Sequence, residues 1–166
     1  RWKGVSPAGT IEAHEIPAKP LDPYSYYNGD FIALEKAHLN KGWKLVDNWH
    51  PDNKAGKRNG FVDVPMLEAT RPGDRLTLDF QGKAIGIFCV SGPSAGILEY
   101  SVDGAPFKEL DTFTEWSHNL YIPWVYMLET ELKDMDHKLV LRISKKKNPA
   151  SQGTECQIRN FVVNGR

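Results

Sequence analysis

The stretch Arg75–Gly104, RLTLDFQGKAIGIFCVSGPSAGILEYSVDG, decides the fold class. Leu76, Leu78 and Phe80 alternate with Thr77, Asp79 and Gln81, the period of a half-buried strand. Gln81-Gly82-Lys83 turns the chain into Ala84–Val90, which is apolar on both faces and therefore reads as a central strand. Leu98, Tyr100 and Val102 alternate again. Asp103-Gly104 then supplies the hairpin turn whose two central residues both need φ > 0.

The same grammar continues in both directions. Upstream, Trp43 and Leu45 open a strand, and Phe61–Ala69 is a second one. Pro65 interrupts it and places it at an edge or a bulge. Arg71-Pro72-Gly73-Asp74 is a turn. Downstream, Phe107–Phe113, Tyr121–Leu128, Leu139–Ile143 and Ile158–Val163 complete eight or nine strands with little helix. The expected fold is all-β: an antiparallel β-sandwich, jelly-roll-like, with at most one or two short helices.

Residues 1–39 differ. Pro7, Pro17, Pro20 and Pro23 punctuate them without any hydrophobic period, so they read as an extended arm or linker, with residues 40–166 as the sandwich. Phe31–Leu39 fits one or two helical turns or a strand. Arg1-Trp2-Lys3 is neither an initiator Met nor a signal peptide, and the start reads as that of an excised fragment.

The 166 residues carry 21 Lys plus Arg and 21 Asp plus Glu, a formal net charge of zero, which removes the electrostatic footprint of a nucleic-acid binder. Apolar runs such as Ala84–Val90 are too short to span a bilayer. The two cysteines, Cys89 and Cys156, make no disulfide framework. They read as two buried thiols, or as one bridge if their strands are neighbours in an exported protein. The five histidines form no zinc spacing and the carboxylates no calcium-loop run, so no metal and no cofactor is expected.

Gly92-Pro93-Ser94-Ala95-Gly96 matches the G-x-S-x-G pattern of a nucleophile elbow. An elbow needs a helix after the Ser, and Ile97–Asp103 alternates with period two instead, so a tight loop with glycines at positive φ is the preferred reading. The aromatic residues are more informative. Five Trp, six Tyr and seven Phe are present. Trp43, Trp124 and Tyr126 read as core. Trp49 and Trp116 stand among polar residues, and exposure and burial are equally expected for them. An exposed ring can stack on the C–H face of a sugar while neighbouring amides and carboxylates take its hydroxyls. The candidate ligand-binding set is therefore Trp49, Trp116, His118, Asn119 and Tyr121, with no catalytic residue.

Several blocks carry a family likeness: GDRLTLDFQGKAIGIF from Gly73, SGPSAGILEYSVDG from Ser91, HKLVLRIS from His137, KNPASQG from Lys147 and CQIRNFVVNG from Cys156. In this order they resemble the C-terminal β-sandwich accessory domain of bacterial SGNH/GDSL-type hydrolases and, more loosely, galactose-binding-like jelly rolls. The likeness covers about residues 40–165. The catalytic blocks of that family are missing: Gly73-Asp74-Arg75-Leu76 has Arg where G-D-S-L has its nucleophile. The resemblance implies a non-catalytic domain of a larger, secreted or periplasmic esterase-like protein. Its partners would be its own upstream catalytic domain and a glycan or glycan ester. The alternatives are a structural domain packed against that catalytic domain, and an independent serine hydrolase using Ser94.

Overall fold

The computed structural model describes residue 13 and residues 15–165; the first part of the expected arm, residues 1–12 and 14, lies outside them. Eleven strands follow in order: β1 Gly29–Ile32, β2 His38–Lys41, β3 Lys44–Trp49, β4 Val64–Ala69, β5 Arg75–Gly82, β6 Ala84–Ser91, β7 Ile97–Val102, β8 Lys108–Asp111, β9 Ile122–Glu129, β10 Met135–Ile143 and β11 Cys156–Asn164. Two 3-10 turns, Leu34–Lys36 and Glu115–His118, are the only helical elements among the described residues. All strand pairing is antiparallel.

The strands form two sheets, ordered β3-β4-β11-β6-β9 and β2-β5-β10-β7-β8, with β1 paired to the end of β11. From β4 onward the chain alternates between sheets except at the β7–β8 hairpin, and each sheet interleaves late strands between early ones. That is the jelly-roll arrangement of two Greek keys. The fold class read from sequence is therefore the observed one.

The period-two faces meet between the sheets. Leu76, Leu78, Ile85, Ile87, Leu98, Leu139, Leu141, Ile158 and Phe161 are all fully buried. At the β7–β8 hairpin Asp103 and Gly104 both have positive φ, 53° and 77°, as the dipeptide requires. Pro65 lies opposite the register shift of β3 between Val46 and Trp49, a bulge that spares it a ladder bond.

Three expectations change. Strands β1 and β2 overlap the two ends of Phe31–Leu39, with the 3-10 turn between them, so that stretch holds both of the structures weighed for it. They bring the total above the eight or nine expected. Trp124, expected in the core, is 43% exposed because β9 is the last strand of its sheet. Trp43, by contrast, is buried.

The segment before β1 is fastened rather than loose at residues 23–28. The buried Asn164 side chain accepts the Asn28 N–H (3.3 Å) and donates to the Ser25 carbonyl (3.0 Å), and Lys83 Nζ reaches the Pro23 carbonyl (3.0 Å).

Candidate functional site

At the end of the sandwich where β3 ends and β11 begins, three connections converge. The first is residues 50–63, closed by the Asp63 N–H on the Trp49 carbonyl (2.8 Å). The second is the segment before β9. Gly56 donates to the Asn119 carbonyl (2.7 Å) and accepts from the Tyr121 N–H (2.8 Å), forming a parallel bridge. The two aromatic-rich loops singled out in the sequence are thus joined to one another. The third is the β6–β7 loop, whose Ser94 carbonyl accepts the Glu155 N–H (2.8 Å) and whose Gly96 donates to the Glu155 carbonyl (2.8 Å).

Between them lies an open cleft of about 340 Å³. Trp49 and Tyr121 form its base, with ring centroids 5.4 Å apart at 70°, edge to face. Both are buried, so Trp49 does not offer the free stacking face that exposure would have allowed. Its indole N–H instead donates to Glu68 Oε1 at 3.0 Å, and Lys44 Nζ meets Glu68 Oε2 at 2.9 Å. Burial pushes the Glu68 carboxyl up, but the Lys44 ammonium, the Trp49 indole and the Gln157 amide outweigh it and hold the group below the usual carboxylate range. Glu155 behaves oppositely. Burial and the nearby Glu68 charge raise it, against a weak bond from the Gln157 amide at 3.4 Å.

Asn53 donates to the Tyr121 hydroxyl at 2.7 Å, and burial raises that phenol. His50 lines the mouth with Nδ1 at 2.9 Å from Asp63 Oδ1. The wall thus carries one carboxylate held low by fixed donors, one carboxyl raised by burial, and an amide between them. Such groups accept hydrogen bonds from hydroxyls and donate to them.

Ser94 also lines the cleft, and its hydroxyl makes no hydrogen bond among the described residues. No helix follows it. The glycines around it are explained by packing. A Cβ on Gly92 would lie 2.1 Å from the Tyr121 ring, and one on Gly96 would lie 2.6 Å from the Thr154 backbone. Neither has the positive φ expected of it. The G-x-S-x-G pattern is therefore a close-approach loop, secured by Ser151 Oγ donating to the Ala95 carbonyl at 2.7 Å.

Of the other candidate residues, Trp116 sits on the 3-10 turn Glu115–His118 with 58% of its surface exposed. The Thr114 N–H donates to Ser117 Oγ (3.1 Å) and braces that turn. His118 is exposed, with its ring edge-on to Phe113 at 5.1 Å. Asn119 contributes its carbonyl to the loop bridge. Trp116, His118 and Asn119 do not line the cleft. Glu68, Glu155, Gln157 and Asn53 were not anticipated. Only the polar positions Glu68 in β4 and Gln157 in β11, and Glu155 just before β11, marked the first three, and strand alternation alone cannot tell a cleft wall from a solvated face.

Among solved structures, the chain matches the crystal structure of a two-domain esterase active on acetylated mannans, co-crystallized with mannopentaose, with TM-score 0.67 and 17% identity over 92% of this chain. Its fold is shared with part of that esterase. The chain spans 40% of the esterase's length. A second structure of a two-domain esterase active on acetylated mannans matches with TM-score 0.58 and 15% identity, covering 95% of this chain and 41% of that one. An exo-beta-1,3-galactanase from Phanerochaete chrysosporium, solved with galactose, matches with TM-score 0.52 and 12% identity over 83% of this chain and 30% of its own. No family model and no curated protein sequence matches. No described helix is long and apolar enough to cross a membrane.

Proposed function

We propose that this chain is the non-catalytic accessory domain of a secreted or periplasmic SGNH/GDSL-type esterase, and that it binds or positions the glycan substrate of its catalytic partner. The observation that carries the reading is the cleft. Two locked rings form its base, and Glu68, Glu155, Gln157 and the unbonded Ser94 hydroxyl converge on one open volume. Sugars offer many hydroxyls and no net charge, and a wall alternating fixed acceptors with amide and hydroxyl donors matches them. Trp116 extends the surface beyond the cleft with a free ring, while His118 and Asn119 hold the loop that carries it. The shared fold with a mannan esterase and a galactanase supports the class of ligand, and the match to 40% of a two-domain chain supports a catalytic partner.

Calorimetric titration with mannopentaose and its acetylated form tests this. Glu155→Ala and Trp116→Ala are each expected to weaken binding at least tenfold. Unchanged affinity in both, with normal melting, refutes the site.

A second reading, that the domain chiefly packs against its catalytic partner, has its own observation. Phe31, Val162, Gly86 and Met127 are successive cross-strand partners over β1, β11, β6 and β9, and Val125 lies two residues from Met127. Phe31 (59%), Val125 (47%) and Met127 (40%) are exposed, an apolar row on one sheet face. Val125→Lys with Met127→Lys in the parent protein separates the readings: lower melting and esterase activity with glycan affinity intact would favour packing.

A further inference from the structure

A second concavity lies at the opposite end of the sandwich. It is a groove of about 740 Å³, within the usual range for ligand sites. It exists because two strands leave a backbone edge uncovered. β1 pairs only with β11, and β2 covers β5 only at Arg75–Thr77, so the far half of β5 has no neighbour on that side. Ile32, Phe80 and Val163 give the groove an apolar floor continuous with the core. Glu35, Gln81 and Asp136 stand on its rim, and their side chains make no hydrogen bond among the described residues. Phe31, 59% exposed, flanks it.

The lining chemistry narrows the occupant. Asp30, Glu35, Asp79 and Asp136 line it with Lys36 and His38; Asp79 is paired with Lys138 at 3.1 Å, and the three other carboxylates still outnumber the one lining lysine, which disfavours uronates, phosphates and nucleic acids. On the β1 side the Asp30 carboxylate already accepts the Phe31 N–H at 2.8 Å, which takes one backbone donor that an added peptide strand would use there. An apolar floor with free hydrogen-bond acceptors around it suits a ligand with C–H faces and outward hydroxyls.

We propose that this groove is a second carbohydrate site, taking a neutral oligosaccharide, with Gln81, Glu35 and Asp136 receiving its hydroxyls. It rests on the chain being carbohydrate-associated, but not on the cleft described above. Gln157 in the cleft and Val163 in the groove are six residues apart on β11, about 20 Å at roughly 3.3 Å per residue. Two such sites let one domain hold a glycan chain at two points or bridge two chains, raising avidity without new contacts.

Residue-resolved NMR titration distinguishes the sites. Mannopentaose and β-1,3-galactotriose serve as neutral probes, trigalacturonate as the anionic one, and a lysine-rich peptide as the competing class. The expected result is saturable shifts at Phe31, Gln81 and Asp136 with at least one neutral sugar and none with trigalacturonate. Asp136→Asn combined with Gln81→Leu weakens those shifts at least tenfold, while Glu155→Ala leaves them unchanged. The proposal is overturned if neutral sugars shift only Trp49 and Tyr121, if the peptide alone occupies the groove, or if the double variant melts normally and binds as the parent does. Shifts at the groove with a silent cleft would instead remove the cleft assignment and leave this one standing.

Discussion

Trp49 and Glu68 are linked across β3 and β4 by an indole N–H donating to a carboxylate at 3.0 Å, and this bond converts a ring near the surface into the base of a cleft. It places an ionised acceptor where a ligand hydroxyl can reach it. Trp49→Phe keeps an aromatic ring against Tyr121 but removes the donor. The expected cost is about 1.5–3 kcal/mol of stability, the usual range for a bond to a charged group. A carbon-13 titration should show the Glu68 pKa rising, since one of the bonds holding it down is lost.

Gly92 and Tyr121 form a second coupled pair. With a Cβ placed 2.1 Å from the ring, Gly92→Ala forces Tyr121 out of its site and is expected to cost about 1–3 kcal/mol by overpacking. Combining it with Tyr121→Ala should give less than the sum of the single effects, because the clash disappears. A double-mutant cycle by thermal melting reads this coupling, and additivity would contradict the packing explanation.

His137 ties three elements together: Nδ1 lies 2.6 Å from Asp103 Oδ2, Nε2 lies 2.8 Å from the Lys133 carbonyl, and the ring stacks on Phe80. Both nitrogens face acceptors, so the imidazolium fits better than either neutral tautomer. Burial opposes the charge, but those bonds and the Asp103 and Asp136 charges outweigh it and raise the pKa above 6.5. A raised folded-state pKa stabilises fully below the unfolded value and loses that contribution as pH climbs through the folded one. Melting temperature should therefore fall as pH rises above the ordinary histidine value of 6.5, and His137→Gln should flatten that decline. Asp103, held low by the His137 bond and the Lys138 N–H, adds the opposite limb: its contribution is lost as pH falls below the ordinary aspartate range.

The cysteines offer a direct check on packing. Cys89 and Cys156 are free and buried, and burial raises Cys89 to about 12 and Cys156 well above its ordinary value. A thiolate reagent should label neither in the native protein at pH 8, and both after denaturation. Rapid native labelling of either would show that β6 or the start of β11 opens.

Asn164 fastens residues 25–28 to the last strand through two hydrogen bonds. Asn164→Leu leaves both backbone partners without their bond and should increase proteolysis near Tyr24–Tyr27 well before global unfolding. Limited digestion followed by mass spectrometry locates the cut.

Local chemistry made most of the fold legible. Alternation over Leu76–Phe80 and Leu98–Val102 needs only a water-facing and a core-facing side. The Asp103-Gly104 turn needs only residues that tolerate positive φ, and a proline opposite a bulge needs only its missing N–H. The ends of the sheets were less legible. Trp124 carries the same apolar signal as Trp43, and the place of β9 as the last strand of its sheet among the described residues leaves it exposed.

The candidate site divides in the same way. Tyr121 and Trp49 stood out because large rings in polar loops are conspicuous, yet their contact depends on two loops far apart in the chain being joined at Gly56. Gly92 was visible as a glycine, but the reason for it, a ring lying against its α-carbon, exists only once β6 and β9 are paired. Sequence by itself determined an all-β sandwich, its central strands and its turns, because those follow from side-chain period and backbone freedom within a few residues. Tertiary structure alone decided which carboxylates share a cleft, which rings keep a free face and where a groove remains open, because each depends on strand order, and no local preference encodes a neighbour 100 residues away.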